Sequence, residues 1–303
     1  MHGIQRISLP DRSLLRLDGP DRVDFLNGLV SNDVRLASSS RSLYAALLTP
    51  QGKFLADMFI SAQQDALWLD VAAAHAADLL KRLKLYRLRA KVEIAAVAGW
   101  QAWALLGTDA GAALELALGP DAAAGAAGPS GAGFACIDPR LAAMGARVWR
   151  PDGDALPPGE PADTAVYEHL RLRLGLPDGA RDIETDKGLL LEHHFEALHG
   201  VDFRKGCYVG QELTARTKYR GLVKKQLFRV ECDAGDLPPP GTMVTCGDAE
   251  AGVMRTSWGR AGLALLRLEQ VERAGRENLP LAAGGLALRA ALPDYAAETP
   301  PAA

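Results

Sequence analysis

Apolar positions along the chain recur with two different periods, and the switches between them mark out its segments. A strand-like run at 13–17 is followed by Pro20 at a first helical turn, with Val23, Leu26, Leu29 and Val30 on one face of a helix. Apolar runs at 43–48 and 54–60 flank Pro50-Gln51-Gly52-Lys53, a hairpin turn signal, and 67–71 continues the meander. Ala76, Leu79, Leu80 and Leu83 return to helical spacing, and 91–97 has strand character. A second unit opens near Gly99. It has a strand at 100–106, a helix at 110–118, an Ala/Gly/Pro/Ser loop over 119–133 and strands at 134–137 and 146–149, and Pro-rich 151–161 closes it. Val166, Leu170 and Leu174 predict a packed helix over 164–174 that ends at Gly175.

Beyond Gly221 the texture changes. Short strand-like runs at 223–232, 243–246, 252–256, 262–268 and 286–291 alternate with Gly, Pro and Asp turns, the pattern of a small β-barrel. Residues from about 293 onward are expected to fray.

Composition adds boundaries rather than detail. With 303 residues, 48% hydrophobic and 23% charged, the chain can bury a real core in two or three domains. A net charge of −3 argues against chain-wide affinity for nucleic acid or anionic membrane, and neither is expected as a partner. The average hides a local reversal: Arg204, Lys205, Arg216, Lys218, Arg220, Lys224, Lys225 and Arg229 face the single acid Glu212. A solvated helix face and a site for an anionic ligand both explain such a run. The four cysteines, Cys136, Cys207, Cys232 and Cys246, lie far apart without zinc spacing. Neither a permanent metal site nor a disulfide framework is expected, which fits a reducing compartment. No leader is recognisable before the first strand, so the expected location is cytoplasmic.

The most specific chemistry lies in Lys205-Gly206-Cys207-Tyr208-Val209-Gly210-Gln211-Glu212. A thiol stands between two glycines, directly after a glycine-spaced cation, and just before good helix formers that run to Gly221. An ammonium and a helix N-terminus near a thiol both favour its thiolate form. A small buried cysteine in a glycine-shaped turn is the bland alternative.

This octet resembles the fingerprint of the folate-binding YgfZ family, within the glycine-cleavage T-protein (aminomethyltransferase) superfamily. The resemblance extends to Leu17-Asp18-Gly19-Pro20-Asp21-Arg22, to Phe25-Leu26-Asn27-Gly28-Leu29-Val30-Ser31-Asn32-Asp33-Val34, and to Leu48-Thr49-Pro50-Gln51-Gly52-Lys53 with Asp57. Leu191-Glu192-His193-His194 with Gln211-Glu212-Leu213-Thr214-Ala215-Arg216-Thr217 is closer to the mitochondrial-type branch that serves iron–sulfur cluster assembly. The similarity covers nearly the whole chain and is densest over 186–225.

The resemblance implies an α+β fold of two ferredoxin-like modules followed by a small C-terminal β-barrel. Residues 1–98 plus 162–222 would form the first, folate-binding module, 99–161 the second, 223–293 the barrel and 294–303 a tail. It implies tetrahydrofolate or a derivative as cofactor, with Glu192 as the pterin-binding carboxylate and Asp57, Asn32, Lys205, Tyr208, Arg216 and Arg220 as further folate-site residues. Cys207 is implied as the functional thiol, a transient ligand of an iron–sulfur cluster shared with an A-type scaffold partner, with four-iron enzymes as clients.

The residues themselves leave plainer roles open. Glu192 suits the start of a short helix over 193–198, Asn32-Asp33 a helix-end turn, and Asp57 a polar position on a strand. His193 and His194 project apart and make a poor chelate. The T-protein pattern of adjacent acids reads Ala56-Asp57 here, a departure that weakens any carry-over of aminomethyl transfer. The expected function is therefore that of an accessory assembly protein rather than a conventional enzyme. A folate-dependent aminomethyl- or methyltransferase is the first alternative, and a thiol-redox or interaction module without folate chemistry the second.

Overall fold

Apolar runs in the first hundred residues build a five-stranded sheet, and the next sixty add most of a second sheet against it. The computed structural model describes residues 3–107, 110 and 123–297. It divides into two compact units, Met1–Tyr167 with Leu198–Gln211, and Glu168–Ala197 with Glu212–Ala303. In the first unit the elements run β1 (Gln5–Ser8), β2 (Arg12–Asp18), α1 (Arg22–Asn27), β3 (Leu43–Leu48), β4 (Phe54–Gln63), β5 (Ala66–Ala72), α2 (Ala73–Tyr86) and β6 (Glu93–Val97). They continue with β7 (Trp100–Leu106), β8 (Ala127–Ser130), β9 (Gly133–Ile137), β10 (Ala146–Pro151) and the short β11 (Glu160–Pro161). The first sheet has the order β3-β4-β5-β2-β6 and the second β11-β1-β7-β10-β9-β8.

The predicted hairpin forms, with Leu43 opposite Ile60 and Ala46 opposite Asp57. Strands β3 and β5 are buried along their whole length, because each face of their sheet is covered. On one face α1 and α2 close a core of Leu26, Val30, Leu47, Met58, Ile60, Leu69, Leu79 and Leu83. The other face meets the second sheet through Trp68, whose ring lies 5.0 Å from Trp100 and 5.6 Å from Phe134. Charges are buried there too. Arg12 and Arg147 each take one oxygen of Asp70, at 2.6 and 2.9 Å. Burial alone would raise the Asp70 carboxyl, but the two guanidinium groups outweigh it and hold the pKa below the usual range.

Several expectations are corrected. The N-terminal strand β1 pairs with β7 and β11, so it belongs to the second sheet. The Ala/Gly/Pro/Ser stretch contributes β8, an edge strand paired to β9, where Pro129 needs no ladder partner on its outer side. Its residues 119–122, and the helix expected over 110–118 apart from Ala110, lie outside the described residues.

In the second unit, α3 (Thr164–Leu174), which begins in the first, ends as predicted at Gly175. A closed barrel follows, with the order β12-β15-β14-β13-β16-β17. Its strands are β12 (Lys225–Glu231), β13 (Met243–Cys246), β14 (Ala249–Trp258), β15 (Ala261–Arg267), β16 (Leu281–Ala283) and β17 (Leu286–Ala291). The octet runs into α4 (Gln211–Tyr219), which stops where Gly221 takes a left-handed φ of +59°. Strand β16 was not expected, nor were two helical elements. A helix, α5 (Leu268–Glu277), lays Leu268, Val271 and Ala274 on the barrel core. The tail folds a helical turn at Asp294–Ala297, held by Tyr295 Oη–H donating to Gly175 O at 2.7 Å and by Arg229 paired to Asp294.

Candidate functional site

The thiol segment is shaped by contacts from far earlier in the chain. Residues 27–32, which follow α1, knit to residues 199–209 of the same compact unit. Ser31 Oγ–H donates to Gly200 O at 2.6 Å and accepts from Ala46 N–H at 2.9 Å. Asn32 Nδ2 donates to Tyr44 O at 2.8 Å and to His199 O at 2.7 Å, while its Oδ1 accepts from Asp33 N–H. Asp202 N–H donates to Ser31 O, and Val209 N–H to Gly28 O. Val209 also packs on the core of the first sheet.

Lys205 is the main tie. Its ammonium donates to Asn27 O at 2.7 Å, Val30 O at 2.6 Å and Asn32 O at 2.8 Å, and stands 5.0 Å from the Tyr208 ring centroid. A lysine carries three donors, so all three are engaged by the carbonyls left over at and beyond the end of α1. Burial pulls its pKa down to about 8, against the opposing pull of Asp33 and Asp202. Gly210 closes the segment. At φ +80° it lies so near the β3–β4 turn that a Cβ would meet Thr49 O at 2.3 Å and Leu48 Cβ at 2.9 Å. Tyr208 N–H donates to Gln211 Oε1 at 3.0 Å, and Gln211 N–H to Tyr208 O, so a backbone turn and a side chain together fix the entry to α4.

Between these anchors Cys207 is exposed, whereas Cys136, Cys232 and Cys246 are buried. A fixed loop therefore presents one accessible thiol. Gly206, beside it, has nothing within 4 Å of where a Cβ would stand.

The other expected site residues are distributed unevenly. Lys205 and Asn32 act as structural ties: with its donors engaged, Lys205 has none left for a folate glutamyl tail, and Asn32 uses both amide hydrogens and its oxygen on backbone. Asp57 is buried on β4 and accepts Tyr44 Oη–H at 2.9 Å. Burial, followed by the neighbouring Asp57, pushes the Tyr44 phenol well up. Glu192 lies in the second unit, half-buried in a 3-10 turn, Leu190–His193, rather than at the head of a helix over 193–198. The helix fails because His194 takes a left-handed φ of +59°. Arg216 and Arg220, also in that unit, are exposed. Sequence reasoning missed Asn27, Ser31 and Tyr44 as positioning residues. A cluster of polar side chains inside an apolar stretch was the available signal for the first two.

The paired histidines are structural. His193 Nδ1–H donates to Leu189 O at 2.9 Å, and Nε2 has no hydrogen-bond partner among the described residues. His194 Nε2–H donates to Leu227 O at 2.7 Å. Burial pushes the His193 pKa down from 6.5 to about 4 and lowers that of His194. The native state holds the neutral ring, so the stability linked to it is complete above pH 6.5 and is lost as pH falls toward 4. The loss from His193 is up to about 3 kcal/mol. Denaturant unfolding at about pH 7 and about pH 4.5 checks this, with His193→Gln expected to show a shallower acid slope than wild type.

Comparison with known proteins gives these features a family. Residues 224–298 match the family described as CAF17, C-terminal beta-barrel domain. The human iron-sulfur cluster assembly factor IBA57, mitochondrial, is 34% identical over 310 residues, covering 95% of this chain and 84% of the relative. Its mouse counterpart is 35% identical, covering 87% and 78%. The Aspergillus fumigatus homolog is 32% identical, covering 86% and 69%. In architecture the chain matches the glycine cleavage system aminomethyltransferase T from Bartonella henselae, with a TM-score of 0.74 over 94% of this chain and 84% of that one. At 16% identity that likeness shows the T-protein-like fold alone. The expected cytoplasmic location is corrected by the same relatives: all three are named as mitochondrial, which points to mitochondria rather than the cytoplasm. On the extent and identity of these matches, the chain belongs to the iron–sulfur cluster assembly factor IBA57 family.

Proposed function

We propose that this protein serves iron–sulfur cluster assembly through the exposed thiol of Cys207, and that it binds a reduced folate while doing so. Membership of the IBA57 family carries the coarser part: the chain is an iron–sulfur cluster assembly factor and works with that machinery. The observation that supports the finer part is the accessible Cys207 on a loop tied at Ser31, Asn32, Lys205 and Val209. On ligating iron the thiol gives up its proton to solvent and contributes a sulfur lone pair. One cysteine supplies only part of a cluster's coordination shell, so the partner must supply the rest; an A-type scaffold protein fits that role, with four-iron enzymes as recipients.

The chain's residues fit a folate only in part. Glu192 is half-buried, and its two coplanar oxygens suit the amino group and ring N–H of a pterin. The exposed Arg216 and Arg220 suit the anionic glutamyl tail. Asp57, Asn32 and Lys205 have polar atoms turned to protein partners and are dropped from the proposed ligand set. Tetrahydrofolate, when bound, supplies nitrogen atoms able to accept a one-carbon unit. Ala56, buried opposite Leu47 where the T-protein pattern has an acid, speaks against aminomethyl transfer as the activity.

Calorimetric titration of tetrahydrofolate tests the folate part. Glu192→Gln keeps the shape but turns one acceptor oxygen into a donor, and is expected to lose about 1.5–3 kcal/mol of binding. Unchanged affinity removes Glu192 from the site.

A further inference from the structure

A second charge reversal lies outside the thiol segment, at the end of α2. The stretch Lys81-Arg82-Leu83-Lys84-Leu85-Tyr86-Arg87-Leu88-Arg89-Ala90-Lys91 holds six cations and no acid, in a chain whose net charge is −3. Leu79 and Leu83 turn inward to the core, at 1% and 0% exposure, but Leu85 and Leu88 stand 68% and 88% exposed among the cations. Arg82 is held by Asp78 at 2.6 Å, while Lys81, Lys84, Arg87 and Arg89 face solvent. Leu88 sits on the turn after the helix at φ +43°, a left-handed conformation that a leucine adopts only at a cost. The fold thus holds a strained apolar residue out in water, ringed by positive charge.

We infer that this tip is a peripheral contact for an anionic phospholipid surface. Leu85 and Leu88 enter the headgroup region, and Lys81, Lys84, Arg87, Arg89 and Lys91 lie over the phosphates. A few buried apolar side chains or a few cations alone attach a protein weakly; the two together are what a peripheral contact needs. An acidic protein segment would also meet the cations. The groove beside them, however, is a shallow one of ≈ 410 Å³ lined by Ala77, Leu80, Lys81, Lys84 and Leu85. Leu88 projects outside that groove, a shape that a soft bilayer accepts more readily than a packed protein surface. No helix among the described residues is long and apolar enough to cross a membrane, so the contact is one of attachment. The chain-wide charge, −3, argues against attachment through the surface as a whole, so the contact rests on this local cluster.

The test is sedimentation of the full chain with vesicles of phosphatidylglycerol and phosphatidylcholine, against phosphatidylcholine alone, at low and high salt. Binding is expected on the anionic vesicles at low salt only. The triple variant Lys84→Glu, Arg87→Glu, Arg89→Glu is expected to weaken it by about tenfold or more. Leu85→Gln with Leu88→Asn is expected to weaken it about fivefold or more at unchanged charge. Neither leucine packs in the core and asparagine tolerates the left-handed turn, so Leu88→Asn alone is expected to raise the thermal midpoint. This guards against loss of binding through misfolding. No binding to anionic vesicles, or equal binding by wild type and both variants, overturns the inference and leaves the patch to a soluble acidic partner.

Discussion

Cys207 is expected to alkylate about a thousandfold or more faster than Cys136, Cys232 and Cys246 in the folded protein. An exposed thiol meets a reagent directly, whereas a buried one must wait for opening of the structure around it. Each 1.4 kcal/mol of opening free energy slows such a reaction about tenfold, so an opening cost near 4 kcal/mol gives the stated ratio. Cys136 is slower still, since burial pushes its pKa up to about 12 and leaves little of the reactive thiolate. Cys232 and Cys246 lie in the barrel core. Mass spectrometry of labelled peptides over time reads the four rates separately. If Cys207 labels no faster than the others, it is a packed structural cysteine and the site proposed above fails.

Lys205→Met is expected to destabilise the protein by about 3–4 kcal/mol and to loosen the thiol loop. Methionine keeps most of the stem but removes three charge-assisted hydrogen bonds and leaves the carbonyls of Asn27, Val30 and Asn32 without that donor. The contact with the Tyr208 ring goes as well. The effect should have a location. Amide exchange is expected to rise in residues 199–210 and 27–32 more than in the barrel, and Cys207 should stay reactive while losing its fixed position. A change below about 1 kcal/mol, with exchange unaltered, would mean that water replaces the ammonium without loss.

Much of this architecture was legible along the chain, and the failures have physical reasons. The β3–β4 hairpin and α2 could be read because turn residues and apolar spacing agree there. Most barrel strands showed as short apolar runs between glycines and prolines. Strand β8 was hidden because an Ala/Gly/Pro/Ser stretch has little apolar content, and only pairing to β9 makes it a strand. Helix α5 was hidden by its charge: Leu268, Val271 and Ala274 form a thin apolar stripe among acids and arginines, and the barrel core supplies what propensity does not. The octet announced a thiol near a cation, yet adjacency in sequence did not tell which way the cation turns. The carbonyls that hold Lys205 come from residues more than 170 positions earlier. Gly210, by contrast, could be read as a place of close backbone approach, and it is one.

Thiol-dependent assembly is tested most directly by complementation of a strain that lacks this protein. Wild type and Cys207→Ala would be produced at matched levels and four-iron enzyme activities assayed in each. Because Cys207 is exposed and fills no core volume, the alanine variant should fold as wild type does, with the same thermal midpoint. The predicted result is full restoration of those activities by wild type and none by Cys207→Ala. Full restoration by Cys207→Ala would contradict a functional role for the thiol.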